Sequence, residues 1–137
     1  MIYAVIDTNV LVAAVKSTKA DSSTSRILSL VFSGIIQPLV NEDILGEYRD
    51  ILTLPVLALD TEKVADVLQK FEEDGVYPGR TPSDEIFVDT TDRVFYEISL
   101  SVDDSYVVTN NVKHFPKVSR VVTPSEMLIL LRSMNEI

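Results

Sequence analysis

The chain of 137 residues contains no cysteine and only one histidine. The lack of cysteine excludes disulfide bonds and thiolate chemistry, and one histidine is too few for a histidine-rich zinc site. Any bound metal ion is therefore expected to have oxygen ligands. No apolar run approaches the length of a membrane span, and the chain starts with a short apolar segment rather than a basic signal region. We expect a cytoplasmic protein without a membrane anchor.

Basic residues are also scarce. The chain has 12 Lys and Arg against 21 Asp and Glu, so its formal net charge is -9. Such a surface is not suited to coating nucleic acid, because phosphate binding needs clustered Lys and Arg. It is compatible with a local site, since a carboxylate cluster that binds divalent cations can approach a phosphodiester once the metal reverses the local charge. The acidic balance thus indicates either simple solubility or a metal pocket.

The hydrophobic pattern alternates between strand and helix within one domain, residues 1–137. Short apolar runs predict strands at 2–6, 35–40, 86–88, 106–109 and 118–122. Helical spacing and capping signals predict helices over 22–34, from Asn41 to before Pro55, over 61–73, from about Asp92, and after the capping box that begins at Thr123. This alternation predicts an α/β fold with a mainly parallel central sheet.

Asp7 directly follows the first predicted strand. In open α/β sheets the ligand crevice forms at the carboxyl ends of the strands, so an acid in this position is well placed to hold a metal ion. An Asp after a strand is also a common turn former or helix N-cap, and 10–12 could belong to the helix that it caps. Its position alone leaves both interpretations open.

Three later residues carry the same ambiguity. Glu47 projects beside the apolar stripe of its predicted helix, where it is either a ligand or an edge residue that extends to solvent. Asp92 starts a helix, where capping and the helix dipole also favour Asp. Asn111 follows the strand at 106–109 and could be an ordinary turn residue. With right-handed crossovers, all three would converge with Asp7 at one edge of the sheet.

With this constellation the sequence resembles the PIN-domain nucleases. The segments that carry the resemblance span nearly the whole chain: 7–12, 45–48, 89–96 and 107–116. The chain looks closest to the toxin (VapC-like) branch of toxin–antitoxin systems, and the ending over 121–128 resembles the closing strand and helix of that branch.

The resemblance implies a three-layer α/β/α PIN-like fold and a metal-dependent endoribonuclease. Asp7, Glu47 and Asp92 would bind one or two Mg²⁺ or Mn²⁺ ions, and Asn111 would belong to the same catalytic group. The residues in supporting roles would be Thr8, Asn9, Asp89 and Thr109. The implied partners are an RNA substrate, a cognate antitoxin protein and a second copy of the chain in a homodimer.

The sequence departs from the family pattern at Asn111, and its histidine and its basic residues have no assigned catalytic role. Many family members carry a fourth acid at the position matched by Asn111, whose amide adds no negative charge; Asp89 and Asp104 are the candidates to compensate. The lone His114 is interpreted as structural or peripheral, because the metal mechanism needs no imidazole. Candidates for a basic rim that receives RNA phosphates are Arg80, Arg93, Lys113, Lys117 and Arg120.

Two other functions compete with the nuclease. A non-catalytic PIN-like module would bind RNA or a protein without cleaving anything. A phosphatase of the haloacid dehalogenase type also places an Asp after the first strand, but it needs an acid two residues later to protonate the leaving group. Asn9 cannot do this, so the sequence argues against the phosphatase.

Overall fold

The structure is a computed structural model that describes all residues, 1–137. Its four strands form one parallel sheet in the order β2-β1-β3-β4. The strands are β1 (Ile2–Ile6), β2 (Ile36–Pro38), β3 (Tyr106–Val108) and β4 (Val121–Val122). The helices are α1 (Thr8–Lys16), α2 (Ser23–Phe32), α3 (Glu42–Leu52), α4 (Thr61–Asp74), α5 (Thr90–Leu100) and α6 (Pro124–Ser133). The predicted α/β fold with a parallel sheet is confirmed.

Burial of the central strands shows that helices cover both faces of the sheet. Ala4, Val5 and Ile6 are fully buried, as are Val107 and Val108. Successive side chains on a strand point to opposite faces, so both faces are covered over the carboxyl-terminal parts of β1 and β3. Helices therefore form a layer on each side, which gives the expected three layers, and the buried apolar residues form one continuous core cluster.

Local capping signals set the helix starts. Asn41 accepts a hydrogen bond from the backbone of Ile44 at 2.8 Å, and Asp60 accepts one from Lys63 at 2.9 Å. The predicted capping box at the start of α6 is present, with Thr123 and Glu126 exchanging side-chain and backbone hydrogen bonds. None of the helices combines the length and the apolar character needed to cross a bilayer.

The strand order places a topological switch point beside β1. The chain leaves β1 to form β2 on one side of it and later returns to form β3 on the other side. Ligand crevices of open parallel sheets lie at such a point, outside the carboxyl ends of the strands. Here the residues that follow β1 and β3 are Asp7 and Thr109.

Some predicted elements differ from the structure in type or extent. The segment 86–88 is not a strand: Phe87 packs on the rings of Tyr96 and Phe115, whereas its two neighbours are exposed and no strand pairs with the segment. Helix α5 begins at Thr90 rather than near Asp92, because Asp89 caps it. The strand predicted over 118–122 is reduced to two residues, and the strand over 35–40 to three.

Candidate functional site

The carboxylate of Asp7 is not used to cap a helix. Asp7 is the N-cap residue of α1 by its backbone, yet its side chain makes no capping hydrogen bond. Instead it accepts hydrogen bonds from the Thr109 hydroxyl at 2.8 Å and from the Asn9 amide at 3.3 Å. Asp7 is 6% exposed and Thr109 is fully buried. The switch point therefore holds a buried carboxylate in a fixed orientation without giving it a structural task in the helix.

Glu47 reaches the same place from α3. The Thr8 hydroxyl donates a hydrogen bond to the Glu47 carboxylate. The next residue, Tyr48, is fully buried and its hydroxyl donates to the carbonyl of Ile6 at the end of β1. Tyr48 thus ties α3 to the strand end, and this contact sets Glu47 beside the start of α1.

Asp92 lies in the first turn of α5 but does not cap it. That task falls to Asp89, whose side chain accepts from the backbone N–H of Thr91 at 2.9 Å. The Asp92 side chain is 13% exposed, and its Oδ2 lies 3.6 Å from Nδ1 of His114. Helix capping therefore explains the position of neither Asp92 nor Asp7.

One cavity of about 430 Å³ gathers these groups at the carboxyl edge of the sheet. Four carboxylates line it, those of Asp7, Glu47, Asp89 and Asp92, together with His114. Apolar side chains from α1, α3 and the turn after α3 form the remaining wall: Val12, Ile51, Leu54 and Leu57. Of the two candidates to compensate for Asn111, Asp89 borders the cavity, whereas Asp104 lies just before β3, at the opposite end of that strand.

The carboxylates disfavour one another's charge. Burial, followed by the charges of Asp7 and Asp89, raises the pKa of Asp92 to about 6. Burial also raises the pKa of Asp7, although the hydrogen bond from Thr109 opposes the shift. Burial raises the pKa of Glu47 in the same way, against the hydrogen bond from Thr8. A bound cation would relieve this repulsion, so the electrostatics favour cation binding.

The donor set fits a hard divalent cation in kind, because carboxylate oxygens are the ligands that Mg²⁺ and Mn²⁺ prefer. The side chains are not drawn together, however: no group of three His, Asp or Glu residues is close enough to hold a metal ion. Glu47 is engaged with Thr8, and Asp92 faces His114. Binding an ion would therefore require side-chain rotation within the cavity.

The segment after β3 is fixed to the start of α1. Asn110 donates its backbone N–H to the Asn9 side chain at 3.1 Å, and the Asn111 N–H donates to the Thr109 hydroxyl at 3.0 Å. The Asn111 amide nitrogen lies 3.3 Å from each ring nitrogen of His114. Asn111 thus stands beside the cavity and contacts His114.

His114 is less peripheral than the sequence interpretation held. A short 3-10 turn, Val112–His114, follows β3 and brings the ring back over the cavity beside Asp92. The sequence places His114 in a loop after a strand but does not reveal the direction in which that loop turns.

A second charged cluster, centred on Glu97, was missed by sequence reasoning. Glu97 on α5 is only 4% exposed. It accepts hydrogen bonds from Arg80 Nε at 2.7 Å, from the Ser83 backbone at 2.7 Å and from Arg93 at 3.5 Å. Arg93 also donates to the carbonyls of Ser83 and Glu85. The cluster fastens the irregular segment that leads to Asp89, and the i,i+4 spacing of Arg93 and Glu97 was the signal available in the sequence.

The same contacts change the expected basic rim. Arg80 and Arg93 are occupied by Glu97. Arg120 donates to the carbonyl of Ser99, on the α5 side of the turn that leads into β3, and so lies away from the cavity. The remaining rim candidates are Lys113 and Lys117, which are exposed in the segment after β3.

Comparison with known proteins gives one match. A family model described as "PIN domain" matches residues 3–113, which is most of the chain and includes Asp7, Glu47, Asp92 and Asn111. No curated protein and no solved structure gives a significant match.

Proposed function

The chain belongs to the PIN domain family, whose members are typically nucleases, and we propose that it is a Mg²⁺- or Mn²⁺-dependent endoribonuclease. The observation that carries the proposal is the cavity at the switch point, where four carboxylates converge from β1, α3 and the start of α5. Neither Asp7 nor Asp92 serves as a side-chain cap, so helix capping does not explain why these carboxylates lie in the cavity.

Each acid has a distinct task in this proposal. Asp7 is the fixed ligand, because Thr109 and Asn9 hold its carboxylate. Glu47 and Asp92 are the ligands that adjust, by rotation from their present contacts. A divalent ion bound by these acids would supply charge stabilisation for the phosphoryl group and an activated water for its hydrolysis.

The surroundings determine how a phosphate can approach. The cavity is acidic, so the substrate phosphate needs positive charge from outside the carboxylate group. Lys113 and Lys117 are the candidates to supply it, because both are exposed in the segment between β3 and β4, where they line a separate groove that phosphates flanking the cleaved bond would have to reach. Leu54 and Leu57 form an apolar wall on the other side of the cavity.

RNA as substrate, a role as a toxin, a cognate antitoxin and a homodimer are proposed on the resemblance of the sequence segments. If the chain is a toxin, its expression alone should arrest growth, and coexpression with the antitoxin should restore growth. If it is a homodimer, the purified chain should elute at the size of a dimer in size-exclusion chromatography. Growth that is unaffected by the active protein would contradict the toxin role.

The nuclease itself is tested by cleavage of a labelled single-stranded RNA in Mn²⁺. We expect Asp7→Asn and Asp92→Asn to lower the rate by about 100-fold or more, since each removes charge at the reacting phosphate. Asp104→Asn is the matched control: it makes the same chemical change before β3, away from the cavity, and should cleave like the parent. Equal rates for all four proteins would show that the cavity is not the active site.

The second candidate is a non-catalytic PIN-like module that binds RNA or protein. It is favoured by the separation of the acid side chains and by the uncharged Asn111. Thermal unfolding in Mn²⁺ distinguishes the nuclease from the binding module. A ligand that binds only the native state stabilises it by about 2.7 kcal/mol when the free ligand concentration is about 100 times the Kd. No shift in Mn²⁺, with Asp7→Asn stabilising the protein and leaving RNA binding intact, would favour the module.

A further inference from the structure

The only histidine of the chain lines the acidic cavity. His114 ends the 3-10 turn after β3, and its ring is about half exposed, with 57% of the side-chain surface accessible. Nδ1 lies 3.6 Å from Oδ2 of Asp92, and the Asn111 amide nitrogen lies 3.3 Å from both ring nitrogens. A polar contact with this much exposure contributes little to folding stability, so stability does not explain why the ring lies here.

The spacing of the two side chains suits a shared ion. Adjacent ligands of an octahedral ion with bonds of about 2.1 Å stand about 3 Å apart, and opposite ligands about 4.2 Å apart. The 3.6 Å between His114 Nδ1 and Asp92 Oδ2 falls between these two values. Closing this gap by about 0.6 Å through side-chain rotation would bring the two atoms to the spacing of adjacent ligands on one ion.

We propose that His114 is a nitrogen ligand of the divalent ion held by Asp7 and Asp92, and that it makes the site prefer Mn²⁺ over Mg²⁺. Imidazole nitrogen binds first-row transition metals better than Mg²⁺, which favours oxygen ligands and retains its waters. The inference rests on the proposed metal-dependent function and extends its ligand set beyond oxygen.

The single histidine makes the test specific. The full chain, purified without a polyhistidine tag, is loaded with Mn²⁺ alone and examined by electron spin-echo envelope modulation, which registers nitrogen bound to the ion. Modulation from imidazole nitrogen can come only from His114. Labelling the protein with ¹⁵N-histidine should replace the ¹⁴N pattern, and His114→Gln should remove it. Lys19→Gln is the control, because Lys19 is exposed beyond the end of α1 and does not line the cavity.

Calorimetric titration supplies the second readout. We expect His114→Gln to weaken Mn²⁺ binding by about tenfold and Mg²⁺ binding by less than about twofold. Mn²⁺ that binds to the parent and is lost in Asp7→Asn, but shows no histidine modulation, would overturn the role of His114 and leave the proposed function standing. If Mn²⁺ does not bind the parent at all, the proposed metal site fails and the nitrogen ligand fails with it.

Discussion

Replacing Glu97 with glutamine removes the charge that fastens the segment before α5. Glu97 accepts hydrogen bonds from Arg80 and the Ser83 backbone, both at 2.7 Å, and a longer one from Arg93. Hydrogen bonds to charged groups contribute about 1.5–3 kcal/mol each. The two arginine side chains are 38% and 30% exposed and regain water after the change, and glutamine retains one acceptor. We therefore expect Glu97→Gln to lower the free energy of unfolding by about 2 kcal/mol.

The loss has a defined dependence on pH. Burial alone would raise the pKa of Glu97, but the hydrogen bonds from Arg80 and Ser83 and the charge of Arg80 lower it below its ordinary value of 4.5. A carboxylate with a lowered pKa in the folded state adds stability above its unfolded pKa, and this stability disappears as the pH falls through the folded pKa. The difference between parent and Glu97→Gln should be complete at neutral pH and shrink below 4.5.

Urea unfolding followed by circular dichroism at several pH values measures both effects. Thermal unfolding of the same proteins should show the loss as a Tm lower by about 6–8 °C for a chain of this size. Glu62→Gln is the control, because Glu62 is exposed on α4 and should change stability by less than about 0.5 kcal/mol. Equal stability of the parent and Glu97→Gln at neutral pH, or a difference that does not change on acidification, would refute the account of this cluster.

Three further predictions concern the site and its frame. Thr109→Val removes the hydroxyl that holds Asp7 and should weaken Mn²⁺ binding about 10–100-fold by calorimetry. Gly75→Ala places a Cβ 2.3 Å from the carbonyl oxygen of Phe71 and should destabilise the protein by about 1–3 kcal/mol in denaturant unfolding. Gly46→Ala adds a Cβ in open space within α3 and should stabilise the protein by about 0.5–1 kcal/mol in the same assay. Thr123→Ala breaks the capping box of α6 and should cost about 1 kcal/mol by the same measurement.

Each of these has an outcome that contradicts it. Unchanged Mn²⁺ affinity in Thr109→Val would mean that Asp7 does not need its support to act as a ligand. Equal stability of the two glycine variants would show that the close approach at Gly75 is relieved without cost. If Thr123→Ala unfolds like the parent, the start of α6 is fixed by packing rather than by its cap.

The parts of the fold that follow from local chemistry were predictable from the sequence. The apolar run before Asp7 and the alternation of elements predict a parallel sheet, and Thr123 with Glu126 predicts the start of α6. The structure confirms these elements and brings Asp7, Glu47 and Asp92 to one cavity, because the carboxyl ends of parallel strands share an edge. Their role as metal ligands stays a prediction.

Features that depend on the path of irregular segments were not predictable. The burial of Glu97 depends on Arg80, which reaches it from a loop with no periodic pattern. Phe87 lies in an apolar run that suits a strand by composition, but its ring packs on α5 and the run has no partner strand. The position of His114 depends on the direction of a three-residue turn. In each case long-range contacts rather than local propensity decide the conformation.

The most direct test of the acidic cavity is a crystal structure of the chain soaked in Mn²⁺, with the ion located by its anomalous scattering. We expect an anomalous peak inside the cavity at about 2.2 Å from carboxylate oxygens of Asp7 and Asp92, with Glu47 turned towards it. A cavity without a peak in crystals that bind Mn²⁺ only at surface carboxylates would contradict the claim that these acids form a metal site.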